Sequence, residues 1–208
     1  MIFNLIIIPP TAQLFGRVQL PIFDKHVQPI NIVYPLLFRN YVTPELKTIL
    51  ENTSKSTNIR ITYLDANFPF MDGFPLLPHL SHNDGKKIDV SFMYLDKSKQ
   101  ATDKKPSVSG YGVFSNSEAN TTSKTCIKKG YWHYDYPKYL TFGTLNDLTL
   151  DAKTTKTLIR HFIKQPQTQC LFIEPHLKTS LGLSSETKLR FHGCKAVRHD
   201  DHIHLQIK

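Results

Sequence analysis

The sequence predicts an α+β fold with a central antiparallel sheet flanked by helices, and three observations predict it. Ile88, Val90, Phe92 and Tyr94 alternate with Asp89, Ser91 and Met93. Near the carboxy terminus Ile203, Leu205 and Ile207 alternate with His202, His204 and Gln206. Strands with one apolar and one polar face are typical of antiparallel sheets, because parallel sheets are covered on both sides. Between these strands, Leu158, Ile159, Phe162 and Ile163 recur at the helical period.

The remaining elements follow in chain order. Thr43 is a helix N-cap with Pro44 at the first helical position, and Leu46, Ile49 and Leu50 continue the apolar side to about Asn52. Ile59, Ile61 and Tyr63 alternate with Arg60 and Thr62, which predicts a half-buried strand over 59–64. The strand at 88–94 comes next. Residues 96–150 are rich in Lys, Ser, Thr, Asn and Gly and read as a loop-rich surface insertion. Its aromatic flank, Tyr131, Trp132, His133, Tyr134, Asp135 and Tyr136, either lines a cleft or packs the insertion onto the domain. Asp151 caps a helix running to about Lys164, residues 170–173 form a short buried strand, and 175–181 a further helical turn. The strand at 202–207 closes a single domain spanning 1–208.

A chain of 208 residues with 40% hydrophobic content can bury a substantial core. The apolar run at 2–8 is broken by Asn4 and stopped by Pro9 and Pro10, far short of the ~20 residues of a transmembrane helix. No transmembrane segment is therefore expected, and no repeat is visible. The formal charge of +9 favours polyanionic partners such as nucleic acid or an anionic cell-wall polymer. The basic residues are scattered, in pairs such as Lys86–Lys87 and Lys128–Lys129, without an arginine-rich helix, so no nucleic-acid partner is expected. Cys126, Cys170 and Cys194 contain no C-x-x-C pair and indicate neither a zinc knuckle nor a disulfide framework. One bridge plus one free thiol stays open, a Cys170–Cys194 pairing included. The first basic residue is Arg17, so the amino terminus lacks the positive region of a secretory signal; either a leader has been removed or the chain is not exported.

Half of the ten histidines lie in two short stretches, His79 to His82 and His199 to His204. His82 precedes the turn signal Asn83-Asp84-Gly85, and Asp89 follows seven positions after His82 on the strand that the turn feeds. The chain can thus fold back to aim an imidazole and a carboxylate at one point. On the closing strand His202 and His204 share a face, ~7 Å apart. Two His and one Asp around an ion with an open fourth position form a hydrolytic zinc site, in which a bound water is the nucleophile. Asp201, His202 and His199 are the candidates for the base and for polarising the scissile carbonyl. Asp84 reads as a turn former. His26, His133, His161, His176 and His192 read as surface or hydrogen-bonded histidines outside the site.

His82-x6-Asp89, together with His199-Asp-Asp-His202-Ile-His204, resembles the LAS metallopeptidases, named for lysostaphin, D-Ala-D-Ala carboxypeptidase and Sonic hedgehog. Within them the chain is most similar to the penicillin-insensitive murein endopeptidases, which add a His three positions before the first ligand, here His79. The stretch Leu171-Phe-Ile-Glu174-Pro175 looks like the strand that precedes their closing motif. The similarity covers roughly residues 74–95 and 168–207. It implies a LAS or hedgehog-like fold and one Zn²⁺ per chain held by His82, Asp89 and His204, with His79 as a neighbour that orients the ligands. It also implies an acidic base three positions before the last ligand, at Asp201. Strict strand alternation turns Asp201 away from the metal, so His202 ranks beside it and His199 third. The implied activity is hydrolysis of D-amino-acid-containing peptide bonds of peptidoglycan, most directly at the cross-link, in the periplasm or another extracytoplasmic compartment. The alternatives are a D-Ala-D-Ala carboxypeptidase, or a non-catalytic zinc-containing hedgehog-like binding module.

Overall fold

The computed structural model of the chain describes residues 6–77, 79–115 and 121–208. In chain order its elements are α1 (Ile8–Gln13), β1 (Val18–Gln19), β2 (Val27–Pro29), α2 (Val33–Leu36), β3 (Tyr41–Val42), α3 (Pro44–Thr57), β4 (Ile61–Tyr63) and β5 (Lys87–Ser91). They continue with β6 (Tyr94–Leu95), β7 (Ala101–Thr102), α4 (Thr121–Lys128), α5 (Trp132–Asp135), a 3₁₀ segment (Tyr136–Thr141) and β8 (Thr149–Leu150). The last are α6 (Ala152–Lys164), β9 (Thr168–Phe172), α7 (Pro175–Ser180), β10 (Leu189–Arg190) and β11 (His202–Ile207).

The class is α+β, and β5 and β11 are hydrogen-bonded neighbours in a six-stranded sheet of order β10-β9-β11-β5-β4-β2. The expectation of an antiparallel sheet is corrected: β4 pairs β5 antiparallel, whereas β2 pairs β4, and β10 pairs β9, in parallel. The physical reason lies in the connections. The link from β2 to β4 carries α3, and the link from β9 to β10 carries α7, the kind of crossover a parallel pair requires. The polar face of β11 is also covered, since every residue of the strand except Gln206 is buried. Alternation there marks a polar site under cover and does not mark solvent.

The chain divides into two compact units, one of residues 1–90 with 205–208 and the other of residues 91–204. In the first, α3 starts where Thr43 accepts the Leu46 N–H (3.4 Å) and ends at Asn58 in the left-handed conformation. Leu46, Ile49 and Leu50 on this helix and Val27, Ile61 and Tyr63 on β2 and β4 are buried. In the second, the Asp151 carboxylate caps α6 by accepting the Thr154 N–H (3.0 Å). Leu158, Ile159 and Phe162 of α6 are buried, as is Leu171 of β9, the strand it contacts. Residues 96–150 also carry β7, α4, α5, the 3₁₀ segment and β8. A Cys126–Cys194 disulfide ties α4 to the loop after β10, and Cys170 is a buried free thiol.

Candidate metal centre

The first half of the site is built by backbone pairing and one tight turn. Leu64 N–H donates to Asp89 O (2.8 Å) and Asp89 N–H to Asp65 O (2.9 Å), which places two carboxylates side by side at the end of β4. The chain reaches β5 through Asn83-Asp84-Gly85. Asp84 Oδ1 accepts the Lys86 N–H (2.9 Å) and its other oxygen pairs with Lys87, so Asp84 does form the turn. Gly85 has φ +76°, a left-handed backbone in which any other side chain is strained, and a Cβ there would also displace the Arg17 guanidinium. Its N–H donates to Asn67 Oδ1 and its O accepts from Thr43 N–H, which fixes the turn between the two expected ligands.

His82 and His79 belong to one turn, closed by His82 N–H donating to His79 O (3.0 Å), with ring centroids 5.4 Å apart. His82 Nδ1 lies 3.3 Å from Ala66 O, a contact that puts the ring proton on Nδ1 and leaves the Nε2 lone pair facing Asp89 Oδ1 at 3.3 Å. His79 Nδ1 lies 2.9 Å from Asp65 Oδ2 and 3.0 Å from Asp89 Oδ2. Arg39 holds Asp65 from its other side through Nε (2.7 Å) and Nη2. Burial works to raise the Asp65 carboxyl, but the bonds from His79 and Arg39 prevail and hold it below the usual carboxylate range. Burial opposes a charge on His79 too. The two facing carboxylates prevail again and lift its pKa to about 10.

The closing segment supplies a second set of imidazoles. The rings of His199 and His202 are 5.0 Å apart and those of His199 and His204 5.7 Å. Asp201 Oδ1 bonds His202 Nδ1, and Asp201 Oδ2 accepts the Gly112 N–H (2.6 Å). Gly112 has φ +85°, and a Cβ there would meet the Pro137 carbonyl, so the insertion can present this N–H only with glycine at the position. The Tyr111 ring stands edge-on to His202 at 5.0 Å. Glu174, fully buried, receives the His199 N–H on Oε1 (3.2 Å) and the Tyr134 hydroxyl on Oε2 (2.7 Å). Burial raises the Glu174 carboxyl, and those two bonds only partly offset it.

Within the first unit the donor atoms of Asp65, His79 and His82 lie within 4.8 Å of one another, and His82, Asp89 and, in the second unit, His204 are all buried. Around a tetrahedral ion with bonds of about 2.0–2.2 Å, neighbouring ligand atoms are separated by about 3.3 Å, which is the His82 Nε2 to Asp89 Oδ1 distance. The Ala66 contact on Nδ1 and the His79 contact on Asp89 Oδ2 are of the kind that holds metal ligands in orientation. In the group of Asp65, His79 and His82 the Asp65 carboxylate is already held by Arg39 and His79, so the residues fit a metal ion best at the His82–Asp89 pair, where an imidazole nitrogen and a carboxylate oxygen stand at ligand spacing.

All seven residues singled out in the sequence are buried, and they fall in the two clusters just described. Sequence reasoning missed Asp65, whose signal is a lone acid inside the apolar run Ile61 to Ala66. It assigned no role to Glu174, a lone acid closing a buried strand. It also set aside His192, whose ring stacks on Phe172 (4.2 Å) and lies 5.5 Å from His199 and 6.2 Å from His204. No helix among the described residues is long and apolar enough to cross a membrane. The chain matches no protein-family model, and no curated protein is significantly similar to it.

Proposed function

We propose that the protein is a zinc-dependent peptidase that hydrolyses D-amino-acid-containing peptide bonds of peptidoglycan, most directly at the cross-link. The observation that carries this reading is the 3.3 Å spacing of His82 Nε2 and Asp89 Oδ1, that of two ligands on one ion, at two of the three residues that the resemblance to murein endopeptidases implies as ligands, His204 being the third. Two imidazoles and a carboxylate are the donor set of catalytic zinc. Zinc held there supplies Lewis acidity toward a carbonyl oxygen and toward water.

The chain's own residues supply proton transfer. Asp201 engages His202 Nδ1 and is itself held by Gly112, so the ring proton sits on Nδ1 and Nε2 is the basic nitrogen. We therefore assign proton acceptance to His202 and its orientation to Asp201, whose two oxygens both have partners. His199, fixed through its backbone by Glu174, stands beside His202 as the group that steadies developing negative charge. A net charge of +9 favours an anionic wall polymer. The Cys126–Cys194 bond suits an oxidising compartment, in keeping with an extracytoplasmic location.

One observation favours a second reading, a zinc-containing hedgehog-like binding module. His82, Asp89 and His204 are only 0%, 1% and 3% exposed, whereas a hydrolytic ion must be reached by water and substrate. Metal analysis joined to release of muropeptides from peptidoglycan sacculi separates the two. One equivalent of zinc is expected per wild-type chain, with turnover reduced by roughly 10²–10⁴-fold in His202→Ala while its zinc is retained. Zinc-loaded wild type that cleaves no D-amino-acid peptide overturns the peptidase and leaves the binding module.

A further inference from the structure

The aromatic flank of the insertion divides its labour. Tyr134 is fully buried, with its hydroxyl 2.9 Å from Ser123 Oγ and donating to Glu174, so this ring packs the segment down. Trp132 and Tyr139 do the opposite, standing 75% and 72% exposed. Together with Tyr131, Tyr136, Asp135 and Lys138 they line an open cleft of about 260 Å³. Rings grouped along one cleft form a contiguous apolar patch, the kind of surface that marks a ligand-binding groove.

From this cleft we infer a glycan-binding subsite, taking pyranose rings of a neutral or N-acetylated polysaccharide. Three features select that chemistry. The Trp132 and Tyr136 rings are inclined at 59° with centroids 5.9 Å apart. At that separation the two rings pack on each other and form one apolar platform, on which the C–H face of a pyranose, with its positive partial charge, stacks against the negative ring faces. Asp135 pairs with Lys138, so the charged lining residues cancel and a polyanion gains nothing from them. The same pair offers an acceptor and a donor at the rim of the rings, as sugar hydroxyls need and an apolar peptide does not. The volume lies below the ~300–1,000 Å³ typical of clefts for whole small molecules, which suits one or two rings of a longer chain. The subsite does not depend on the peptidase reading, because no residue of the metal centre lines it.

Trp132 is the only tryptophan in the chain, so intrinsic fluorescence reports on this cleft directly. The test titrates the full-length, zinc-loaded protein with an N-acetylglucosamine tetramer, with cellotetraose, and with an apolar tetrapeptide of matched length. A saturable change with either glycan is expected, weakened about three- to tenfold by Tyr139→Ala or Tyr136→Ala, which keep the reporter. His82→Ala should bind the glycan as wild type does, which separates this outcome from failure of the metal chemistry. Absence of a change with both glycans, equal affinity in the Tyr139→Ala and Tyr136→Ala proteins, or a stronger response to the peptide overturns the assignment.

Discussion

Asp89 divides its two oxygens between two imidazoles, Oδ1 toward His82 and Oδ2 toward His79, and this division makes His79 testable. Removing an outer partner of a metal ligand typically costs 10–100-fold in metal affinity. On the proposed zinc site, His79→Ala is expected to weaken zinc binding by about that factor, and His79→Gln, which keeps a donor, to recover part of it. Competition against a chromophoric chelator measures both. Asp200 provides a pH-dependent prediction. Burial pushes its carboxyl up to about 7, helped by the charges of Asp201 and Glu174 and opposed by the Arg198 guanidinium that it pairs with. A raised folded-state pKa means that the contribution to stability is complete below the ordinary value of 3.8 and is lost as pH rises through about 7. Between pH 5 and 8, wild type should therefore lose on the order of 2 kcal/mol of stability relative to Asp200→Asn. Urea unfolding of the two proteins at both pH values checks the sign.

Helix boundaries show how far local pattern reaches. Asp151 caps α6 with bonds to the Thr154 N–H and hydroxyl, and Asp151→Ala should destabilise the protein by about 1 kcal/mol, read as a lower urea midpoint at unchanged slope. Both ends of α6 were legible because cap and apolar stripe coincide. For α3 the start at Thr43 was legible but the end was not. The apolar stripe ceases near Asn52, whereas the helix runs to Thr57 because Thr53 and Ser54 are buried, Ser54 donating to Ile59 O (2.7 Å). Polar residues continue a helix where a buried carbonyl awaits them, and nothing in their spacing reveals that carbonyl.

At the scale of the molecule, the Cys126–Cys194 bond closes a long loop whose ends are 68 positions apart. Its removal by Cys126→Ser is expected to cost about 2–4 kcal/mol, seen as a lower melting temperature that reductant no longer changes. Thiol titration of the unfolded, unreduced wild type should count Cys170 alone. Sequence spacing left this pairing open because residues 126, 170 and 194 carry no positional signature of their partners. Strand direction was beyond reach for a related reason. Parallel pairing of β2 with β4 and of β9 with β10 depends on where each chain segment returns, which periodicity within one strand does not encode.

The sequence by itself determined the candidate residues: His79, His82 and Asp89 around one turn, and the run from His199 to His204. Imidazoles and carboxylates at metal-ligand spacing are local facts, and the Gly85 turn that aims the first set is written in three adjacent residues. Only the tertiary structure decided who supports them. Asp65 reaches His79 because β4 pairs with β5, Glu174 reaches His199 from the end of β9, and Gly112 reaches Asp201 from the insertion. Each of these bonds joins residues distant in sequence, 14, 25 and 89 positions apart, which only the folded backbone brings within reach.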